Sequence, residues 1–234
     1  MPIAGATVPL NTAEGEDKIT ITEKVTSPYF SDGNTELLAA SIVSGTLSDT
    51  NETYYYSIAN SSSPTTPEFH VAFGSVNGYG SDDDANAIKA PTEAVYNQWA
   101  SLLLPANEVT GGFIISDVGS AGLVTGRDPE IYVLVGARAR QKDRLNKKNW
   151  TIFLTGSNGV SVGANTRLVL TDDSANDNPT STPAGDRYNI VSGSDGTISG
   201  SGASFKNYGF YYPDQGVMVF SAQELSASIP GAGL

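Results

Sequence analysis

A mainly β fold, a β-sandwich or barrel-like domain with one short helix packed on it, is what this sequence predicts. Short runs rich in Val, Ile, Tyr and Phe recur along the chain, with turn formers between them. Helical spacing shows over a single stretch, which is bounded by Pro91 and Pro105. Charged residues make up 16% of the 234 positions, against about 25% in ordinary globular chains, while Gly reaches 25 and Pro 12. That is the composition of a loop-rich β protein, and the length suffices for a substantial core. There is no cysteine, so disulfides and thiolate chemistry are excluded.

Taken in order, residues 1–16 are small and polar without a period and read as an extended arm. Residues 17–234 read as one β-rich domain, with a subdivision near 60 as the alternative. From Lys18, KITITEKVT alternates as a strand, and Asp32-Gly33 tips a turn. LLAASIVSGTL and ETYYYSIAN form a hairpin-like pair across SDTN, SSSPTTP is a loop, and FHVAFG is a strand. A Gly-rich loop follows. Val95, Trp99, Leu102 and Leu103 then fall on one face of a helix spanning about 91–104. Strands are expected at GFIISDV, at 130–142, and at NWTIFLTG, TRLVLTD, DRYNIV, NYGFYYP and GVMVFSA. Between Asp172 and Asp186 lies a long polar loop, either mobile or held by a partner.

The 130–142 strand leads into the densest charge in the chain. Arg138, Arg140, Lys142, Arg144, Lys147 and Lys148 are six of the 13 Lys and Arg residues. With Asp143 the segment carries +5, which leaves −17 for the rest of a chain of formal charge −12. Odd positions from Ile131 to Ala139 are apolar, and even positions pass from Tyr132 and Leu134 to Arg138, Arg140 and Lys142. On one strand those cations stand about 6.7 Å apart and repel by roughly 0.6 kcal/mol per pair even in water. The ribbon is expected to return through Trp150, Ile152 and Leu154 as a protruding hairpin. Its charge is met by the chain's own acids, by a neighbouring subunit, or by nucleic acid, and a pI near 4.3 argues against the last.

Asp82, Asp83 and Asp84 are the strongest acidic run, a solvated loop or a docking point for basic residues of a neighbour. They lack the ligand spacing of an EF-hand loop, and Asp172, Asp173 and Asp177 give an equally weak metal pattern. His70 is the only histidine and reads as structural, because no GxSxG elbow accompanies it. GSVNGYGS holds turn-forming glycines without the GxxxxGK of a phosphate loop. Tyr54, Tyr55, Tyr56, Tyr208, Tyr211 and Tyr212 are sheet aromatics or the lining of a sugar groove. No catalytic residue, cofactor or metal ligand is assigned. The first residues have no basic start and long apolar core of a secretory signal, and no apolar run approaches the ~20 residues of a membrane helix. A soluble protein that contacts no membrane is expected.

Three segments together resemble a family of virion structural proteins of contractile-tailed bacteriophages, especially those infecting marine cyanobacteria. They are FHVAFGSVNGYGS with PTEAVYNQWASLLL, then IYVLVGARARQKDRLNKKNW, then DRYNIVSGSDG leading to YGFYYPDQGVMVFSA. The matching positions include His70, Gly78, Tyr96, Gln98, Leu102, Arg138, Arg140, Lys142, Tyr208, Gly209, Pro213, Asp214 and Gly216, within about 60–230. The resemblance implies an architectural, non-catalytic subunit of the tail, baseplate or neck, built into the virion in the host cytoplasm. Its implied partners are copies of itself and other virion proteins. A capsid decoration protein and a carbohydrate-binding module of a tail fibre are the alternatives.

Overall fold

The computed structural model describes residues 42–44, 55–59, 67–78, 91–108, 111–115, 126–138, 144–154, 168–199 and 206–225. The strands are β1 (Ile42–Ser44), β2 (Tyr55–Ala59), β3 (Pro67–Ser75), β4 (Glu130–Gly136), β5 (Ile152–Leu154), β6 (Leu168–Asp172), β7 (Thr180–Thr182), β8 (Gly185–Ser194), β9 (Thr197–Ile198), β10 (Asn207–Tyr212) and β11 (Val217–Ser221), with one helix, α1 (Pro91–Leu103). The fold is mainly β, an antiparallel sheet curled into a half-barrel with a short helix on it. Its strand order is β1-β2-β3-β4-β11-β10-β8-β6-β5, and β7 and β9 pair with β8 off this path.

Register explains the layering. Val135, Val217 and Tyr212 stand side by side across β4, β11 and β10, as do Val133, Val219 and Phe210. These rows face one core, which they share with Tyr96, Ala100 and Leu103 of α1 and with Leu104, Phe113 and Ile115 after it. The alternate rows run Leu134, Met218, Tyr211, Tyr188 and Tyr132, Phe220, Gly209, Ile190. They face a second core with Leu145, Trp150 and Leu170. The central strands are therefore apolar on both faces, which is why GVMVFSA and NYGFYYP read as continuous apolar runs rather than alternating ones. Each fully buried aliphatic or aromatic side chain contributes about 1.5–3 kcal/mol.

Gly209 is where the second face is tightest. The register of β10 on β8 shifts between Asn207 and Gly209, and a Cβ at Gly209 would stand 2.3 Å from the Val219 carbonyl oxygen. Only glycine fits there. The β10–β11 turn closes on Gly216, whose φ of 66° suits a residue without a Cβ.

α1 begins on Pro91, carries Glu93 in its first turn, and ends before Pro105. Its buried face is Thr92, Tyr96, Ala100 and Leu103: of the expected Val95, Trp99, Leu102 and Leu103, Leu103 is buried and Trp99 packs partly buried against the core, but the centre of the face lies one position on and Leu102 is exposed. Tyr96 sets this rotation. Its hydroxyl donates to the Asp128 carbonyl at 2.7 Å and accepts the Phe113 N–H at 3.1 Å. Burial holds that phenol above its usual pKa, so it stays a donor.

Three other expectations are corrected. The described part of GFIISDV, residues 112–115, is not a strand. Its backbone bonds go to Tyr96 and to Asp128, whose carboxylate accepts the Ile115 N–H at 2.7 Å, while Phe113 and Ile115 fill the first core. The 172–186 region is not a free loop: it makes a turn and then β7, which pairs with β8 through a turn capped by Thr182 on Gly185. The strand expected over 130–142 ends at Gly136; the Gly136 and Ala137 N–H groups still reach the carbonyls of Gly216 and Glu68, and Arg138 is in a turn. The paired strands at LLAASIVSGTL and ETYYYSIAN do form, as β1 and β2. The arm 1–16, the strand from Lys18 and the Asp32-Gly33 turn lie outside the described residues.

Replacing Tyr96 with Phe leaves a buried N–H and a buried carbonyl without this partner. The variant should lose about 2 kcal/mol in denaturant unfolding, at unchanged slope.

Candidate contact surface

The basic segment is a strap rather than a hairpin. β4 pairs with β3 and β11, whereas β5 lies at the far end of the sheet and pairs with β6. The described residues between them, 144–151, lie on the second face, against β10, β8 and β6. Sequence patterning suggested a hairpin because both flanks are apolar, but each flank finds a different partner strand.

Leu145 and Trp150 seat the strap. The Leu145 N–H donates to the Pro213 carbonyl at 3.0 Å, and its own carbonyl accepts the Tyr211 hydroxyl at 3.0 Å. Trp150 packs edge-on against Tyr211 with ring centroids 5.4 Å apart. Burial, helped by the charge of Asp172, pushes the Tyr211 phenol far above its usual pKa, so it remains a neutral donor at any physiological pH.

The second half is fixed by β6 and by the β8–β9 turn. Thr171 donates its hydroxyl to the Trp150 carbonyl and accepts the Gly196 N–H, at 3.0 and 2.8 Å. Thr151 accepts the Asp195 N–H and donates to the Asp195 carboxylate, both at 3.0 Å. Lys148 takes φ 64°, which aims its N–H at the Asp172 carboxylate, 2.9 Å away. Gly196 has to be glycine here, since a Cβ would approach the Lys148 Cβ to 2.6 Å.

With the strap seated, its cations take different roles. Arg144 comes within 3.7 Å of Asp214, a part-exposed pair of the kind that contributes about 0–1 kcal/mol. The Lys147 ammonium donates to the Tyr188 hydroxyl at 3.1 Å and lies 5.0 Å from that ring's centre. The Lys148 side chain is exposed, with its backbone doing the anchoring. Arg138 is exposed in the turn after β4 and meets no carboxylate among the described residues. Arg138 lies in the turn after β4 rather than on the strand; Arg140 and Lys142, like Asp82, Asp83 and Asp84, lie outside the described residues.

Asp172 and Asp173 are buried and serve the turn. Asp172 accepts from the Lys148 and Ser174 N–H groups and from the Ser174 hydroxyl, and Asp173 accepts the backbone and side-chain N–H of Asn189 at 2.9 and 2.7 Å. Among the described residues no group of three metal-ligating side chains forms. His70 shares a hydrogen bond with Ser57, its cross-strand neighbour, at 2.9 Å. Tyr211 and Tyr212 are fully buried and line no groove, and burial pushes the Tyr212 phenol up to about 12.

The strap's partners Tyr188, Tyr211, Asp172 and Thr171 went unrecognised in the sequence. Asp172, a carboxylate at the end of an apolar strand, invites a metal reading by its spacing, and Tyr211 reads as a sheet aromatic or part of a sugar groove. No family model, curated protein or solved structure matches this chain.

Since Lys148 bears left-handed strain while its anchoring uses only the backbone, Lys148→Gly should raise stability by up to about 1 kcal/mol in thermal or denaturant unfolding.

Proposed function

We propose that this chain is a non-catalytic structural subunit of a contractile-tailed phage virion. It forms a multicopy part of the tail, baseplate or neck, assembled in the host cytoplasm through contacts with copies of itself and with other virion proteins. The observation that carries the reading is how the strap is seated. Pro213, Asp214 and Gly216, three of the positions shared with the phage family, form the β10–β11 turn that receives Leu145 and Arg144. Tyr96 and Gly209, also shared, fix the helix and a close approach between β10 and β11. The resemblance therefore falls on residues that build the framework behind the basic run.

Charge supplies the second support. Arg144 and Lys147 have partners within the chain, whereas Arg138 is exposed, and Arg140 and Lys142 follow it in the sequence. The remainder of each copy is strongly acidic. A basic patch on one copy facing acidic surface on the next is a heterologous contact, which closes into a ring under rotational symmetry. It also weakens as salt rises.

Reversing Arg138, Arg140 and Lys142 to Glu should abolish or sharply reduce incorporation into particles while the purified chain keeps its unfolding midpoint. Incorporation at wild-type stoichiometry would remove the patch from the account. Quantitative mass spectrometry of purified particles separates the alternatives. A tail or baseplate subunit appears in a small fixed ratio to other tail proteins, whereas a decoration protein scales with the capsid lattice. Absence from particles would overturn the reading itself.

A further inference from the structure

We propose that Asn77 is a site of spontaneous covalent modification: the Gly78 backbone nitrogen displaces its side-chain amide, and the turn after β3 acquires an aspartate or isoaspartate. The turn-forming glycines of GSVNGYGS play no part in the proposed function, yet one of them follows an asparagine. Among the described residues Asn77 is the only asparagine with glycine next to it; the chain's other Asn-Gly pair, Asn158-Gly159, lies outside them.

The turn leaves both reacting groups accessible. Asn77 is exposed, as is Val76 beside it, and the Asn77 side chain makes no hydrogen bond to another described residue. The Gly78 N–H closes the turn on the Ser75 carbonyl at 3.2 Å, a long bond. Gly78 takes φ 75°, a conformation that favours a residue without a Cβ. The same missing Cβ leaves its nitrogen unhindered, so the residue the turn requires is also the one that reacts most readily. The base of the turn is held, by the Val76 N–H on the Pro129 carbonyl at 2.8 Å, so the tip stays at the surface.

Hydroxide removes the Gly78 amide proton, and the nitrogen bonds to the Asn77 Cγ. The Cγ–Nδ2 bond breaks, Nδ2 leaves as ammonia, and a five-membered succinimide remains. Water then opens the ring at either carbonyl. One opening gives aspartate, and the other gives isoaspartate, with the main chain routed through Cγ. One water enters, one ammonia leaves, and no oxidant or reductant is needed. Closure is intramolecular, which is why proximity alone suffices to drive it.

The β8–β9 turn, the other described place where an Asp or Asn precedes glycine, shows what protection looks like. There the Gly196 N–H is held by the Thr171 hydroxyl at 2.8 Å, and the Asp195 carboxylate accepts the Thr151 hydroxyl at 3.0 Å. Nucleophile and electrophile are each occupied by the strap's own anchorage.

The test incubates the folded protein at mildly alkaline pH beside the same chain in urea, and maps deamidated and isoaspartyl peptides by mass spectrometry. The Asn77 peptide should convert in the folded protein within about tenfold of its rate in urea, giving both products. Asn77→Gln, whose ring would need a sixth member, should remove that signal. Asp195→Asn places the same reactive pair in the held turn, and its conversion should be at least about a hundredfold slower folded than in urea. An Asn77 that stays intact in the folded protein while the urea sample converts overturns the proposal. So does an Asp195→Asn site that converts as readily as Asn77, because the hydrogen bonds would then decide nothing.

Discussion

The strands at the centre of the sheet, β4, β11 and β10, are apolar on both faces, and the rest of the fold follows from that constraint. A sheet of this kind cannot leave either side in water. One side is covered by α1 and the extended chain through Ile115, tied down by the Tyr96 hydroxyl and the Asp128 carboxylate. The other is covered by the strap, through Leu145 and Trp150. Helix and strap differ in conformation but perform the same task. Each is fixed by a buried tyrosine whose hydroxyl bonds to the backbone of the covering or adjoining segment.

The strap also explains how so much positive charge sits beside a core. A segment pinned at Leu145, Lys148 and Trp150 keeps its side chains in fixed places, so Lys147 lies on an aromatic ring and Arg144 beside a carboxylate. Arg138 precedes the first pin and remains exposed. In the proposed function this division matters, since cations engaged within the chain stabilise the subunit while the exposed Arg138 is available to a neighbour. The turn at Asp172–Asp177 adds a buried carboxylate pair supported by hydrogen bonds.

Local patterns were readable in the sequence where the physics is local. Runs of strand-forming residues and turn chemistry located β6, β8, β10 and β11, and Pro91 with Pro105 bounded the helix. The odd and even positions of β4 do face opposite sides, as far as Val135. What failed depended on distant partners. The helix face turned by one position because a tyrosine hydroxyl finds its bonds in a loop more than fifteen residues away. The run at Phe113–Ile115 is apolar enough for a strand, yet its N–H groups are taken by side chains. The strap read as a hairpin because nothing in residues 131–154 reveals that β5 belongs to the opposite end of the sheet. The basic residues were legible as a cluster, but which of them are already engaged was not, since Tyr188 and Asp214 lie tens of residues downstream.

The docked strap is the central claim, and Trp150 reports on it directly. In a Trp99→Phe chain Trp150 is the only tryptophan, so its emission and its quenching by iodide measure whether the strap lies on the sheet. With an exposure of 2%, Trp150 should emit at short wavelength and resist quenching until the sheet itself unfolds. Emission at the wavelength of hydrated tryptophan, with free access to iodide in the folded protein, would contradict the account.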